Sequence, residues 1–359
     1  MEYRVWRRRT AGLLLLALLL LAGCSGSSRE GPVTVRIGVA LYQQDDTFIS
    51  TVVQHLEQFA REEEQARDIK LNLNVADGRG SQSAQNEQVD RFLSQGYDVM
   101  CVNIVDRTAA AVIIDKAQAA GVPVLFFNRE PVEEDLARWE GAYYVGSDGA
   151  QSGQLQGGIV LDAWRGDPAG LDRSGDGVLQ YVMLEGEPGH QDALLRTEYS
   201  VKTLTQAGVA TEKLANDTAN WQRGQAAARM QLWLEEFGGQ IEVVFANNDD
   251  MALGAIEALK AEGYNSGDES KYIPVVGVDA TAPALEAMKD GSLLGTVLND
   301  STSQGNASVN IAVAAAQTGA HCGQQPPQGL SVPAAEGLMK GDFCRHVVFI
   351  ADQRGALPL

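Results

Sequence analysis

From residue 33 onward, short apolar or β-branched runs alternate with longer stretches whose apolar residues recur at helical spacing. The first half runs VTVRIGVAL, a helix near 48–64, KLNLNVAD, a helix near 84–95, YDVMCVNIV, a helix near 107–120, and VPVLFFN. From about 148 the alternation begins again: a helix, VLQYVMLEG, a helix, VATEKLAND, a helix near 222–237, IEVVFANND, a helix near 250–262, YIPVVGVDA and GTVLND. Strand, helix and strand in this order make a parallel sheet with helical crossovers. The pattern therefore predicts an α/β chain of two similar doubly wound parallel-sheet domains. The echo of GVPVLFFNRE in YIPVVGVDAT points to repeated architecture.

The segment before this alternation has a different character. YRVWRRR is followed by AGLLLLALLLLAG, a basic region and then an apolar one, which marks an export signal. Its apolar stretch of about 13 residues falls short of the roughly 20 that a membrane-spanning helix requires. It ends in Leu21-Ala22-Gly23-Cys24, which resembles the lipobox of bacterial lipoproteins. That likeness implies cleavage after residue 23, a lipid on Cys24 and a flexible tether over 24–32. Losing residues 1–23 removes four Arg and one Glu and takes the formal charge from −19 to −22. So acidic a chain excludes nucleic acid as a partner, because that binding is driven by basic groups neutralising phosphates. Two domains of ordinary size fit what remains. Cys101 in DVMCVNIV is expected as a buried core thiol. Cys322 and Cys344, with 21 residues between them, are expected to pair in an oxidising compartment.

Candidate chemistry collects where apolar strands end. Asp45 and Asp46 follow the first strand, Asn128 and Arg129 the fourth; Asn247, Asn248 and Asp249 follow VVFA, Asp279 ends VVGVD, and Asn299 and Asp300 follow GTVL. Each alone is an ordinary helix cap or turn residue. Together they describe a cleft, since open α/β sheets bind ligands beyond the carboxyl ends of their strands. Carboxylates and amides suit the hydroxyl rim of a sugar, and aromatic rings suit its apolar faces. Phe48 and Trp221 are the candidate platforms. Elsewhere, LDRSGDGVLQ sets Asp172, Ser174, Asp176 and Gln180 at positions 1, 3, 5 and 9 of a calcium loop, with Gly177 at the sharp turn. Position 12 is Met183, inside an apolar run, so on its own the stretch reads equally well as an acidic turn.

Through YQQDDTFIS, FFNREP, YYVGSD, GEPGHQDALLRT, DTANW, ANNDDMALGAIEALK, VVGVDA and GTVLND, residues 34–320 resemble the periplasmic galactose/glucose-binding proteins, sugar receptors of an ABC importer and of chemotaxis. The resemblance implies two domains joined by a hinge, 33–146 plus 300–346 and 147–299 plus 347–359. It implies that Asp46, Asn128, His190, Asp192, Arg196, Asn248, Asp279 and Asn299 hydrogen-bond a hexose while Phe48 and Trp221 stack on it. It also implies that Glu242 completes a calcium site with Asp172, Ser174, Asp176, the Val178 carbonyl and Gln180. The implied partners are a membrane permease and a chemoreceptor, and the implied state is a lipid-anchored extracytoplasmic monomer. Arg129 departs from the family's usual Lys. A carbohydrate-active enzyme using Asp46 and Asp279 is a weaker reading, because no GxSxG, HExxH or P-loop is present and the four histidines are scattered. A sugar-responsive repressor would need a helix-turn-helix where the export signal stands, whereas a sugar sensor uncoupled from transport fits as well as an importer.

Overall fold

The computed structural model describes residues 32–318 and 347–349. The export signal, Cys24, the tether, Cys322 and Cys344 lie outside the described residues. Among the described residues, no helix is long and apolar enough to cross a membrane.

The first unit contains strands β1 (Val33–Leu41), β2 (Ile69–Asp77), β3 (Val99–Val102), β4 (Val124–Phe127) and β5 (Ala142–Gly146). Helices α1 (Thr47–Arg67), α2 (Gln82–Ser94), α3 (Ala110–Ala120) and the short α4 (Glu133–Leu136) connect them. The strands are parallel in the order β2-β1-β3-β4-β5. The second unit holds α5 (Gly149–Gly166), α6 (Pro168–Leu171), β6 (Val178–Glu185), α7 (Gln191–Gln206), β7 (Ala210–Thr218), α8 (Arg223–Phe237), β8 (Val243–Ala246), α9 (Asp249–Ala261), β9 (Val275–Asp279), α10 (Ala282–Lys289) and β10 (Gly295–Leu298). Its sheet repeats the order, β7-β6-β8-β9-β10, again parallel. In both units the strand order reverses beside the first strand, which opens a crevice at the carboxyl edge.

Side-chain alternation builds the layers. On β3, Val99 and Cys101 face one apolar core with Val52 and Leu56 of α1, while Met100 and Val102 face the other with Val89 of α2 and Ile113 of α3. Cys101 is a buried free thiol, as expected, and burial pushes it up to about 12. The apolar stripe of α1, Phe48, Ile49, Val52, Leu56 and Ala60, follows the helical period, and full burial of each large member is worth about 2 kcal/mol.

The chain returns to the first unit in α11 (Ser301–Thr318), which lies on α1. The two helices cross at Gly305, where a Cβ would stand 2.8 Å from the Leu56 backbone nitrogen. The two passages between the units run side by side. Ser147 Oγ donates to Asn299 Oδ1 at 2.5 Å, and Gln304 Nε2 donates to both, at 3.1 and 2.7 Å.

Two features depart from the expectations, one from the periodicity and one from the resemblance. The strand β5, with α10 and α11, is absent from the predicted elements, because AYYVG and the eight-residue α10 are short and the Ala-rich α11 carries little apolar contrast. The expected assignment of 347–359 to the second domain is corrected at its described part. Strand β11 (Val347–Phe349) pairs in parallel with β5, Val347 opposite Tyr144, as the edge strand of the first sheet. By pairing there, β11 gives hydrogen-bond partners to backbone groups that the edge of β5 would otherwise leave open.

Candidate functional site

All ten side chains expected to meet a sugar line one cavity between the units. Asp46 and Phe48 come from the turn after β1 and the start of α1, and Asn128 follows β4. From the second unit come His190, Asp192 and Arg196 around the start of α7, Trp221 before α8, Asn248 before α9, Asp279 at the end of β9 and Asn299 after β10. Tyr42, Ile49 and Arg129 complete the lining. Tyr42 and Ile49 were missed, although Tyr42 sits at a strand's carboxyl end like the others. The units are closed on one another. Thr47 Oγ1 donates to Asp250 Oδ2 at 2.5 Å, Arg107 Nη1 to Gln191 Oε1 at 2.8 Å, and Arg129 pairs with Glu187 at 2.7 Å.

Several of these side chains serve the fold as well as the cavity. Asp46 caps α1 by accepting from the Ile49 N–H at 2.8 Å, His190 Nδ1 caps α7 by accepting from the Asp192 N–H at 3.1 Å, and Asn248 caps α9 through the Met251 N–H at 3.0 Å. The cap fixes each side chain at its backbone and at one acceptor atom, so Asp46 and Asn248 hold their remaining polar positions in a fixed direction, while His190, with Nδ1 accepting, is left with its Nε2–H as a donor. Asn128, Trp221 and Asp279 take positive φ, 61°, 64° and 129°. For a bulky side chain such as Trp this is a strained backbone, of the kind that gathers at ligand sites.

Arg196 is the electrostatic centre. Its guanidinium meets Asp192 Oδ2 at 2.8 Å and the Asn247 carbonyl at 2.9 Å, and lies 4.0 Å from Asp279 Oδ1. Asp279 also accepts from Asn299 Nδ2 at 3.1 Å. Burial pushes Asp46, Asp192 and Asp279 above the usual carboxylate range, against the pull of the nearby arginines, and pushes His190 well down so that its imidazole is neutral. Two buried donors, Arg196 Nε and Trp221 Nε1, have no partner in the protein and are free to serve a ligand. The Trp221 ring stands edge-on to His190, 4.9 Å between centroids, and its far edge rests on Gly186, where a Cβ would come within 2.2 Å of the indole carbons.

Beneath the cavity, Asp249 accepts from Thr296 Oγ1 at 2.6 Å and the Thr281 N–H at 2.7 Å, yet burial lifts its carboxyl from 3.8 to about 7. Between those values the folded chain holds a proton that the unfolded chain has released, so stability is full below about pH 4 and falls as pH rises toward about 7. Asp279 contributes with the same sign. Urea unfolding across this window should show stability declining with pH in the ligand-free protein, and Asp249→Asn should reduce the slope. An unchanged slope in that variant would assign the effect elsewhere.

The loop at 172–180 is tightly organised. Asp172 accepts from the backbone N–H groups of Gly175, Asp176 and Gly177 at 2.7–3.1 Å. Glu242, only 1% exposed, stands against the loop, one oxygen accepting from the Ser174 N–H and the other from the Gln180 N–H, each at 3.0 Å. Gln180 Oε1 is buried without a partner, an acceptor left over where a cation would use one. The donor set is all oxygen, as calcium requires. Among the described residues no three His, Cys, Asp or Glu side chains form a metal-holding group by themselves, so a cation here would depend also on Ser174, Gln180 and the Val178 carbonyl.

A closed cleft between two parallel α/β units, lined by carboxylates, amides, arginines and aromatic rings, defines a two-domain solute receptor. The chain belongs to the periplasmic binding protein family, whose domain model matches residues 37–320. It is 41% identical over 305 residues to the D-galactose/methyl-galactoside binding periplasmic protein MglB of Haemophilus influenzae, covering 85% of this chain and 88% of that one. It is 31% identical to a xylitol-binding protein of Mycolicibacterium smegmatis, over 83% of this chain and 76% of that one. Among solved structures, an ABC transporter solute binding protein from Bacillus halodurans with bound myo-inositol superposes with a TM-score of 0.67 at 32% identity, covering 81% of this chain and 91% of that one.

Proposed function

We propose that this chain captures a hexose, D-galactose or D-glucose, outside the cytoplasm and presents it to the membrane permease of an ABC importer, without chemical turnover. The observation that carries this reading is the cavity, where thirteen side chains from both units combine rim-type acceptors and donors with the aromatic rings of Tyr42, Phe48 and Trp221. A pyranose needs both kinds of contact. The relative named for galactose lends support, as do relatives named for other polyols, which share the demand for hydroxyl recognition. Anchoring through a lipid on Cys24 belongs to the same reading, and a chemoreceptor could read the same closed form. Calorimetric titration with a panel of hexoses, pentoses and inositols tests it. Galactose or glucose is expected to bind well below millimolar, and no hexose tighter than millimolar would overturn the assignment.

The oxygen-lined loop is part of the proposal. Asp172, Ser174, Asp176, the Val178 carbonyl, Gln180 and Glu242 would hold calcium, tying the loop to the residue that precedes β8. A ligand that binds only the folded state stabilises it by mass action. Chelation is therefore expected to lower Tm in the wild type, and Glu242→Gln to abolish the difference between chelated and calcium-loaded samples. Hexose affinity should change little. A wild-type Tm indifferent to chelator and calcium alike would leave the loop as a turn.

A further inference from the structure

Arg129 stands where the family resemblance leads one to expect Lys, and it is 5% exposed. Both terminal nitrogens and one face of its guanidinium are engaged. Nη1 donates to the Val105 carbonyl at 3.0 Å within its own unit, and Nη2 meets Glu187 Oε2 of the other unit at 2.7 Å. Its flat face covers the Tyr42 ring, 3.5 Å from Cζ to the centroid. The Tyr42 hydroxyl in turn donates to Asp46 Oδ2 at 2.5 Å, while the other Asp46 oxygen caps α1.

We propose that Arg129 is a positioning residue that couples closure of the domains to the orientation of Asp46, acting through Tyr42. This rests on the hexose reading, with Asp46 as the acceptor for a sugar hydroxyl. A planar guanidinium can bind a carbonyl and a carboxylate through its edge while it stacks on an aromatic face, and an ammonium cannot hold all three together. When the units close, Glu187 arrives at the edge of Arg129. The guanidinium is then pinned over Tyr42, whose ring and hydroxyl are fixed in turn, and Asp46 can present its free lone pairs in one direction only. Open and closed forms thus differ in how sharply Asp46 discriminates among hydroxyl positions. An ammonium at 129 would still attract Glu187 but would leave the ring free to tilt.

Stopped-flow and calorimetric titrations of the full chain with D-galactose and D-glucose test this, using the wild type, Arg129→Lys, Arg129→Met, Glu187→Gln, Tyr42→Phe and the Arg129→Met/Tyr42→Phe double variant. Arg129→Met and Tyr42→Phe should each shift the ratio of the two affinities by about threefold or more, in the same direction. The double variant should shift it no further, as expected for residues acting in one chain. Glu187→Gln should speed dissociation by about fivefold, because an interface pair acts mainly on the off-rate, and should shift the ratio in the same direction as Arg129→Met, because closure no longer pins the guanidinium. Arg129→Lys should keep near-wild-type dissociation and still show the altered ratio. A purely structural role for Arg129 would lower Tm and leave the ratio alone. That result, or additive shifts in the double variant, overturns the proposal. If Arg129→Met does not fold, an unchanged ratio in Arg129→Lys overturns it equally. A wild type that binds neither hexose removes the underlying reading, and this is seen before any variant is compared.

Discussion

Arg196→Ala is expected to weaken hexose binding at least tenfold while the protein still folds. The guanidinium spans Asp192, the Asn247 carbonyl and the neighbourhood of Asp279, all buried, and its Nε is still free for a ligand. Removing it leaves two buried carboxylates without their counter-charge and a carbonyl without its donor, each worth about 1–3 kcal/mol and more where charge is stranded. Either carboxylate can escape by taking up a proton, but it then ceases to be a full acceptor for a sugar hydroxyl. Asp279→Ala attacks the same cluster from β9 and should cost a similar factor. Arg196→Lys should recover only part of the loss, since an ammonium cannot reach three acceptors in fixed fork geometry. Calorimetry gives the affinities and circular dichroism the fold. Wild-type affinity in both alanine variants would show that this cluster serves the scaffold and not the ligand.

Gly186→Ala is expected to lower hexose affinity about tenfold through a residue that it does not replace. The backbone at Gly186 is outside the left-handed region, so its conformation does not require glycine. The Trp221 indole does, because a methyl at 186 would sit 2.2 Å from two ring carbons. The ring must move and lose its stacking position, which is worth about 0.5–1.5 kcal/mol beyond the area it buries, so that about tenfold in affinity is at stake. Trp221→Ala should cost a comparable factor and leave the preferred epimer unchanged, because stacking on a sugar face does not sense one axial hydroxyl. In the Trp221→Ala background, Gly186→Ala should add nothing. A full further loss there would mean that Gly186 acts by another route.

Much of this architecture is legible in the sequence. The twofold restart of the strand and helix alternation predicts two parallel units, and the rule that α/β sheets bind ligands at their carboxyl edges gathers Asp46, Asn128, Asn248, Asp279 and Asn299 into one place. Those residues were ambiguous because their two readings do not compete. Asp46 and Asn248 are helix caps, as their type suggests, and they also line the cavity. The return of β11 to the first sheet was not legible, since three apolar residues can complete any open edge and nothing local in VVF selects β5. Gly186 was invisible for a different reason. Its significance comes from a ring 35 positions later in the chain, and a small residue carries no local mark of what leans on it.

The left-handed backbone at Asn128, Trp221 and Asp279 sets the terms on which this receptor could be improved. Each such position costs on the order of 1 kcal/mol or more, which glycine would relieve. Laboratory selection for heat resistance alone would therefore be drawn toward glycine at 128 but not at 221, where losing the buried indole outweighs the strain relieved, and the gain at 128 would erase a group that lines the cavity. Robustness and recognition pull in opposite directions there, so a screen that rewards one must also measure the other.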